Sequence, residues 1–321
     1  MKHKVVIFCG SSRAGKTTLA KLSHDHSKIY KGLIFEGLFP AYLSRFSYMF
    51  GKYHKGLFSE YMTRARFIDE SKSKTTTPKE QLGKVGKYKG SFLSSLDNAF
   101  GDKWAIADLH AELYYKALLR SNPDIHFCLV IRDPRDCVCA GLYWQDLPKA
   151  IEVRKSWFYK KLFSWILSAH MAQKIKKTYP DNITVVNFNQ LIENKNPPEF
   201  LGFDNAWEKD IPKWDIYYSH KGKGLFSTPN RGEYKELLTE RDIFIIQELC
   251  ADYMKQYNYK RDNFTSSNIY ILRIIKIFIL GLSELSPSLA RGGIDLLFSP
   301  RQHAKKQQDR LKQFIKDIKN F

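Results

Sequence analysis

Gly10, Gly15, Lys16 and Thr17 stand at the spacing G-x-x-x-x-G-K-[ST], and that spacing is a device for holding a phosphate. Glycines at both ends let the backbone curl so that successive N–H groups converge on an anion, which then sits at the positive end of the following helix. Lysine adds a cation on a long stem, and threonine adds a hydroxyl. The device needs a strand before it and a helix after it. Lys4-Val5-Val6-Ile7-Phe8-Cys9 is a short apolar run of the kind a buried parallel strand requires, and residues 17–24 contain neither Pro nor Gly. The spacing leaves the phosphate unnamed: magnesium-ATP is the default for Lys16 and Thr17, yet the same loop serves any nucleotide 5′-phosphate.

A second group of cations follows another apolar run. His126-Phe127-Cys128-Leu129-Val130-Ile131 leads into Arg132-Asp133-Pro134-Arg135-Asp136. The proline restricts the exit angle, so at least one arginine is expected to face the site rather than solvent. Guanidinium forks bind phosphate oxygens bidentately, which would suit a second phosphate away from the first. The same five residues would also make an Arg–Asp surface pair capping a helix, and spacing alone does not choose between the two. The remaining titratable candidates are Glu36, Asp108 and His110, each at the end of a short strand-like run.

These residues need an alternating scaffold to bring them together. Gly32-Leu33-Ile34-Phe35-Glu36 reads as a second strand, and Trp104-Ala105-Ile106-Ala107-Asp108 as a third. Residues 112–120 read as a helix stopped at Asn122-Pro123, 126–131 as a strand, and 151–177 as a helix closed by Tyr179-Pro180. Ile183-Thr184-Val185-Val186-Asn187-Phe188 is a fifth strand. Strands alternating with helices imply parallel βαβ units, with ligands at the carboxyl ends of the strands, where the loop, Glu36, Asp108 and Arg132 would all emerge. The expected fold is therefore α/β, a P-loop-type three-layer arrangement with a central parallel sheet of about five strands and a helical C-terminal extension. Residues 39–100, with the polar break Ser71-Lys72-Ser73-Lys74-Thr75-Thr76-Thr77-Pro78, read as an insertion of helices and loops over the site. Insertions of that length inside an α/β unit tend to be functional. Residues 237–257 read as a helix with Thr239 as its N-cap and Asp242 three residues on. The expected domains are 1–262, the α/β domain, and 263–321, an apolar then basic extension ending in a basic amphipathic helix over 302–319.

Composition narrows the partners. With 321 residues, 43% hydrophobic and 14% aromatic, the chain can bury a core, unlike a disordered polymer. Its 52 Lys and Arg against 33 Asp and Glu leave a net charge of +19, which implies an anionic partner: nucleotide, nucleic acid, acidic glycan or anionic membrane surface. No zinc-finger, K-homology or RNA-recognition signature is present, which argues against nucleic acid. Five cysteines, with no C-x-x-C pair and no His cluster at zinc spacing, favour a reducing cytoplasm and no metal site. The first apolar run is too short for a signal-peptide core. Residues 269–282 are strongly apolar but hold Arg273 and Lys276 and are too short to span a bilayer. The segment 269–321 would either lie in a membrane interface as a peripheral contact, pack on the core, or form a dimer contact.

The order of these motifs resembles a family, the sulfotransferases that use 3′-phosphoadenosine 5′-phosphosulfate. Arg13-Ala14-Gly15-Lys16-Thr17-Thr18 is similar to their R/K-S-G-T-T loop, and Val130-Ile131-Arg132-Asp133-Pro134-Arg135-Asp136 to their V-x-R-D-P-R-D segment for the 3′-phosphate. Residues 186–191 followed by Glu199-Phe200-Leu201-Gly202 resemble the Y-E-D-L and F-L-G run, and Gly232-Glu233-Tyr234-Lys235 before Leu238-Thr239 resembles G-D-W-K-x-x-F-T. The resemblance covers about residues 4–259. It implies sulfuryl transfer to a hydroxyl or amine of a carbohydrate, glycolipid or small molecule, with adenosine 3′,5′-bisphosphate as product and no metal. It also implies a cosubstrate site of Ser12, Arg13, Ala14, Gly15, Lys16, Thr17, Thr18, Arg132, Ala140, Arg231 and Gly232. Arg13 and Lys16 would stabilise charge on the bridging and 5′-phosphate oxygens, and His110, or else Glu36, would be the base. Three departures stand out. Lys16 replaces the usual Ser or Thr. The 3′-phosphate serine falls at Ala140, so its contact must be lost or come from Lys221, Lys223 or Arg231. The K-x-H base motif is reduced to Asp108-Leu109-His110.

Two other readings use the same residues. A P-loop kinase would place Lys16 on the β/γ-phosphates, Thr17 on magnesium, Asp108 as a metal or base carboxylate and the two arginines as a lid. A nucleotide-dependent membrane-surface binding protein would follow from the charge.

Overall fold

A computed structural model describes residues 5–34, 66–69, 74–76, 103–108, 110–121, 123–143, 151–194, 196–204, 232, 234–263, 268–301, 304 and 308. Glu36, Lys221, Lys223, Arg231, the rest of the 39–100 insertion and, apart from 304 and 308, which are helical, the expected 302–319 helix lie outside those residues. The chain divides into two compact units, Met1–Asp133 with Met171–Gly232, and Pro134–His170 with Glu233–Phe321.

The first unit is built on a seven-stranded sheet in the order β4-β3-β2-β5-β1-β6-β7. The strands are β1 (Val5–Cys9), β2 (Lys31–Ile34), β3 (Arg66–Asp69), β4 (Lys74–Thr76), β5 (Trp104–Ala107), β6 (Ile125–Ile131) and β7 (Ile183–Asn187). Parallel pairing joins β2 to β5, β5 to β1, β1 to β6 and β6 to β7. The register sets Phe8 opposite Ala107 and Cys9 opposite Leu129, so β1, β5 and β6 release their chains on the same edge of the sheet. Both β1 and β6 are buried along their whole length, as expected for strands covered on both faces, which read as continuous apolar runs. His126 is tolerated inside β6 because Nε2 lies 2.8 Å from Thr184 Oγ1 on the neighbouring strand and its ring rests 4.8 Å from Phe200.

The described residues of the insertion, 66–69 and 74–76, are strand rather than helix or loop. β3 and β4 add an antiparallel pair to the β2 edge, Phe67 opposite Leu33 and Phe67 opposite Thr76. The Lys74-Thr75-Thr76 part of the polar break is thus strand. Its β-branched threonines suit a pleated backbone, and β2 without β3 beside it would present a row of unpaired groups.

Helix α1 (Lys16–His26) follows the first loop, α2 (Tyr115–Ser121) precedes β6, and α5 (Phe188–Asn194) follows β7. The helix expected over 112–120 begins instead as a 3-10 turn, Ala111–Tyr114, because His110 adopts a left-handed conformation (φ 63°) that redirects the chain before the helix can start.

The second unit is helical. It contains α3 (Pro134–Tyr143), the part of α4 (Ile151–Thr178) up to His170, then α6 (Tyr234–Leu237), α7 (Glu240–Leu249), α8 (Ala251–Gln256), α9 (Tyr270–Leu285) and α10 (Pro287–Phe298). Thr239 caps α7 as its sequence implies: its hydroxyl accepts the Asp242 N–H at 3.2 Å while the Asp242 carboxylate accepts the Thr239 N–H at 3.3 Å. The single helix expected over 237–257 therefore starts at Glu240, and it bends at Cys250, whose φ of −101° and ψ of 5° separate α7 from α8. Trp165 of α4 is buried against the edge of Tyr253 of α8, 6.1 Å between ring centroids.

Candidate functional site

The loop between β1 and α1 is shaped by two close approaches that only glycine permits. Gly10 has φ 128°, and a Cβ there would fall 2.5 Å from the carbonyl oxygen of Val130 on β6. Gly15 has φ 103°, and its Cβ would fall 2.4 Å from the ring of Phe188. Between them Arg13 also adopts a positive φ, 68°, a conformation that costs a non-glycine residue energy and tends to be kept at functional sites. The Ala14 N–H donates to Ser11 O at 3.3 Å, and Lys16 Nζ folds back over the loop to donate to the same carbonyl at 3.4 Å. Ser12, Arg13, Gly15, Lys16, Thr17 and Thr18 are half-buried, whereas Ala14 is fully buried.

The loop ends at a helix N-terminus that fits an anion. Gly15 supplies no side-chain cap to α1, and no acidic residue occupies its first turn. The terminal N–H groups and the positive end of the dipole therefore lack the side-chain compensation that helices commonly carry there.

Arg132 emerges from β6 onto this loop. Its Nη1 donates to the carbonyl of Arg13 at 3.4 Å, and its guanidinium lies 5.8 Å from the Phe188 ring centroid. Phe188 thus touches both Gly15 and Arg132, a wedge between the two cation-bearing segments. The sequence places it at the end of the fifth strand and in the 186–191 run, and in the structure it opens α5.

Arg135 goes elsewhere. Within the second unit its Nη1 donates to Asp262 Oδ2 at 2.7 Å and to Gln247 Oε1 at 2.8 Å, and its guanidinium lies 4.4 Å from the ring of Tyr234. Asp262 also accepts from the Tyr234 hydroxyl at 2.9 Å. This buried network holds α3, α6 and α7 to the segment after α8, and it removes Arg135 from the two-arginine lid of the kinase reading.

The edge after β5 carries the titratable groups. The Asp108 N–H donates to Phe8 O at 2.9 Å, and its side chain is buried. The His110 N–H donates to Gly10 O at 3.4 Å, and the residue is 6% exposed. Beneath it lies Glu112, which sequence reasoning missed: a fully buried carboxylate whose Oε2 accepts the Gly10 N–H at 3.1 Å and whose Oε1 is 3.4 Å from His110 Nδ1. One carboxylate therefore ties the start of the loop to the candidate base. The signal available was the alternation Asp108-x-His110-x-Glu112 at a strand end. The neighbouring Cys9 thiol is pushed well up by burial first and by the Glu112 charge second, so it stays protonated and unreactive.

Ala140 lies on α3 of the second unit, half-buried and without a polar side chain. Gly232 has φ 79°, with nothing within 4 Å of where a Cβ would be. Glu36 and Arg231 lie outside the described residues, and among those residues no group of three His, Cys, Asp or Glu side chains could hold a metal ion.

No protein-family model and no curated protein matches the sequence. Among solved structures, the chain is similar to the sulfotransferase domain of the Synechococcus PCC 7002 olefin synthase, with 11% identity, a TM-score of 0.43 and coverage of 88% of this chain and 96% of that one. It is also similar to a sulfotransferase from Mycobacterium avium, with 11% identity, a TM-score of 0.43 and coverage of 82% and 79% respectively.

Proposed function

We propose that the chain is a sulfotransferase that moves a sulfuryl group from 3′-phosphoadenosine 5′-phosphosulfate to a hydroxyl or amine of a carbohydrate, glycolipid or other small acceptor. The observation that carries this reading is the meeting of Arg132 with the Arg13 carbonyl on a loop that also bears Lys16. It puts a second cation-bearing segment against an uncapped helix N-terminus, an arrangement suited to a nucleotide with two separate phosphates.

The residues present fit such a cosubstrate at its 5′ end. Lys16 and Arg13 are the cations that would stabilise charge building on the departing phosphate, and the N–H groups and hydroxyls of Thr17 and Thr18 would hold that phosphate at the start of α1. Arg132 would hold the 3′-phosphate, without the side-chain hydroxyl that Ala140 lacks. Bound, the cosubstrate supplies a sulfuryl group already attached to a good leaving group. His110 serves as the base. Its Nδ1–H donates to the Glu112 carboxylate, which leaves Nε2 to take the proton from the acceptor hydroxyl. Replacing His110 by Ala is expected to lower kcat by about 10²–10⁴-fold. Near-normal turnover in that variant, with loss in Glu36→Gln, would move the role to Glu36.

One observation favours a second reading. Lys16 completes a nucleoside-triphosphate signature, and a kinase would take it at face value. Calorimetric titration with adenosine 3′,5′-bisphosphate, beside ATP with and without magnesium, separates the two. Magnesium-independent binding of the bisphosphate, weakened by Arg132→Ala, supports the sulfotransferase. Selective binding of magnesium-ATP would replace it with the kinase.

A further inference from the structure

The last two described helices leave large apolar side chains exposed. Along α9, Tyr270, Ile271, Ile274, Ile277, Phe278 and Leu285 recur at helical spacing, and each is at least 49% exposed. The cations of the same helix pair with acids of the second unit, Arg273 while itself 59% exposed. Arg273 Nη2 pairs with Glu248 of α7 at 3.0 Å, while Lys276 Nζ lies 3.9 Å from Asp252 of α8 and 5.6 Å from the centroid of the Tyr253 ring. Ile279 and Ser283, fully buried, mark the side turned toward the protein. α10 meets α9 where Gly293 lies against Leu282; its Ala290 and Ile294 are buried, and it leaves Leu289, Leu296 and Leu297 at 56%, 59% and 47% exposure. Folded soluble proteins seldom gather large apolar side chains in this way without something to cover them.

We propose that α9 and α10 dock on the interface of a membrane that carries anionic lipid. Among the described residues no helix is long and apolar enough to cross a membrane. α9, at about 24 Å, is shorter than the hydrocarbon core, so it would lie in the plane of the interface with its apolar side among the acyl chains. Charge selects the occupant. Residues 299–321 hold seven Lys and Arg against two Asp, and the whole chain carries +19. A polybasic segment that follows apolar helices in the sequence is a combination that anionic headgroups neutralise. A second copy of the chain would bring the same positive charge to the contact. It would also favour a narrow seam bordered by charged residues, whereas Tyr270 and Ile277 widen the α9 face with apolar surface.

The test uses the full chain and is independent of the chemistry at the β1–α1 loop. Protein is sedimented with vesicles of phosphatidylcholine alone, and with vesicles of phosphatidylcholine and phosphatidylserine in equal parts. It is compared with the variant Ile274→Gln/Ile277→Gln/Phe278→Gln, whose changes keep helix propensity and touch only the outward face. The single variant Ile277→Gln is run beside it, and circular dichroism and thermal unfolding confirm that both fold. Binding is expected to the phosphatidylserine vesicles, to fall as salt rises, and to weaken at least ~10-fold in the triple variant. Equal binding by the folded variants and the parent, or no binding by the parent, overturns the proposal. Vesicle-indifferent protein that dimerises with rising concentration, and ceases to do so in the variants, would assign the face to a second copy.

Discussion

Glu112 Oε2 accepts the amide N–H of Gly10 at 3.1 Å, across 102 residues of sequence. The bond joins the turn after β5 to the loop after β1, and its acceptor is a fully buried carboxylate. Replacing Glu112 by Ala leaves a buried N–H without its acceptor and should lower stability by about 2–3 kcal/mol, read as a shift in urea midpoint at constant slope. Glu112→Gln keeps a carbonyl oxygen for Gly10 and should recover most of that stability. It should not recover turnover, because a neutral amide does not stabilise the imidazolium that forms when His110 takes a proton. A Gln variant with both stability and kcat intact would reduce Glu112 to a structural role.

The two loop glycines should respond differently to the same substitution. Gly10→Ala sets a methyl 2.5 Å from a backbone oxygen of β6, whereas Gly15→Ala sets one 2.4 Å from the Phe188 side chain. Each carries left-handed strain of about 1–3 kcal/mol. Only the second has a neighbour that can be trimmed. Adding Phe188→Ala should therefore ease the clash in Gly15→Ala and leave Gly10→Ala no better, as measured by thermal unfolding of the double variants.

Arg132 and Arg135 stand three residues apart yet should separate completely in experiment. Arg132→Ala removes a charge-assisted contact and should weaken adenosine 3′,5′-bisphosphate binding by about 10–100-fold, with little change in stability. Arg135→Ala strips the partner from Asp262 and Gln247, which it meets at 2.7 and 2.8 Å. It should destabilise the second unit by about 2–4 kcal/mol and leave the bisphosphate affinity of the folded protein largely unchanged. Equal effects of both variants on both readouts would contradict this division.

Stability should fall on the alkaline side. Burial pushes the Tyr257 phenol up from 10.0 to about 12, and it raises Tyr30, Tyr159, Tyr253, Cys9 and Cys128 in the same direction. The unfolded chain loses these protons first, so the native state binds more protons and the stability of folding declines as pH rises through the interval between the two values. Tyr257 alone contributes about 2 kcal/mol of that loss between pH 10 and 12. Tyr257→Phe should flatten the alkaline limb of a plot of urea midpoint against pH and leave the plateau below pH 9 unchanged.

Local pattern determined much of this protein. The apolar run into Gly10, the turn glycines and the uninterrupted stretch after Lys16 specify strand, loop and helix through neighbouring residues alone, and so does the Thr239–Asp242 cap. The parallel core strands were legible because strands covered on both faces must be apolar throughout. What tertiary structure decided were the contacts between residues far apart in the chain. Nothing near Arg132 or Arg135 says that one would reach the Arg13 carbonyl and the other Asp262, since both are guanidinium groups and the acceptors that divide them lie more than a hundred residues away. Nor does periodicity say which side of α9 faces outward. An apolar stripe looks the same whether it is turned to a core or away from one, and here Ile279 and Ser283 are buried while Ile271, Ile274 and Ile277 are left outside.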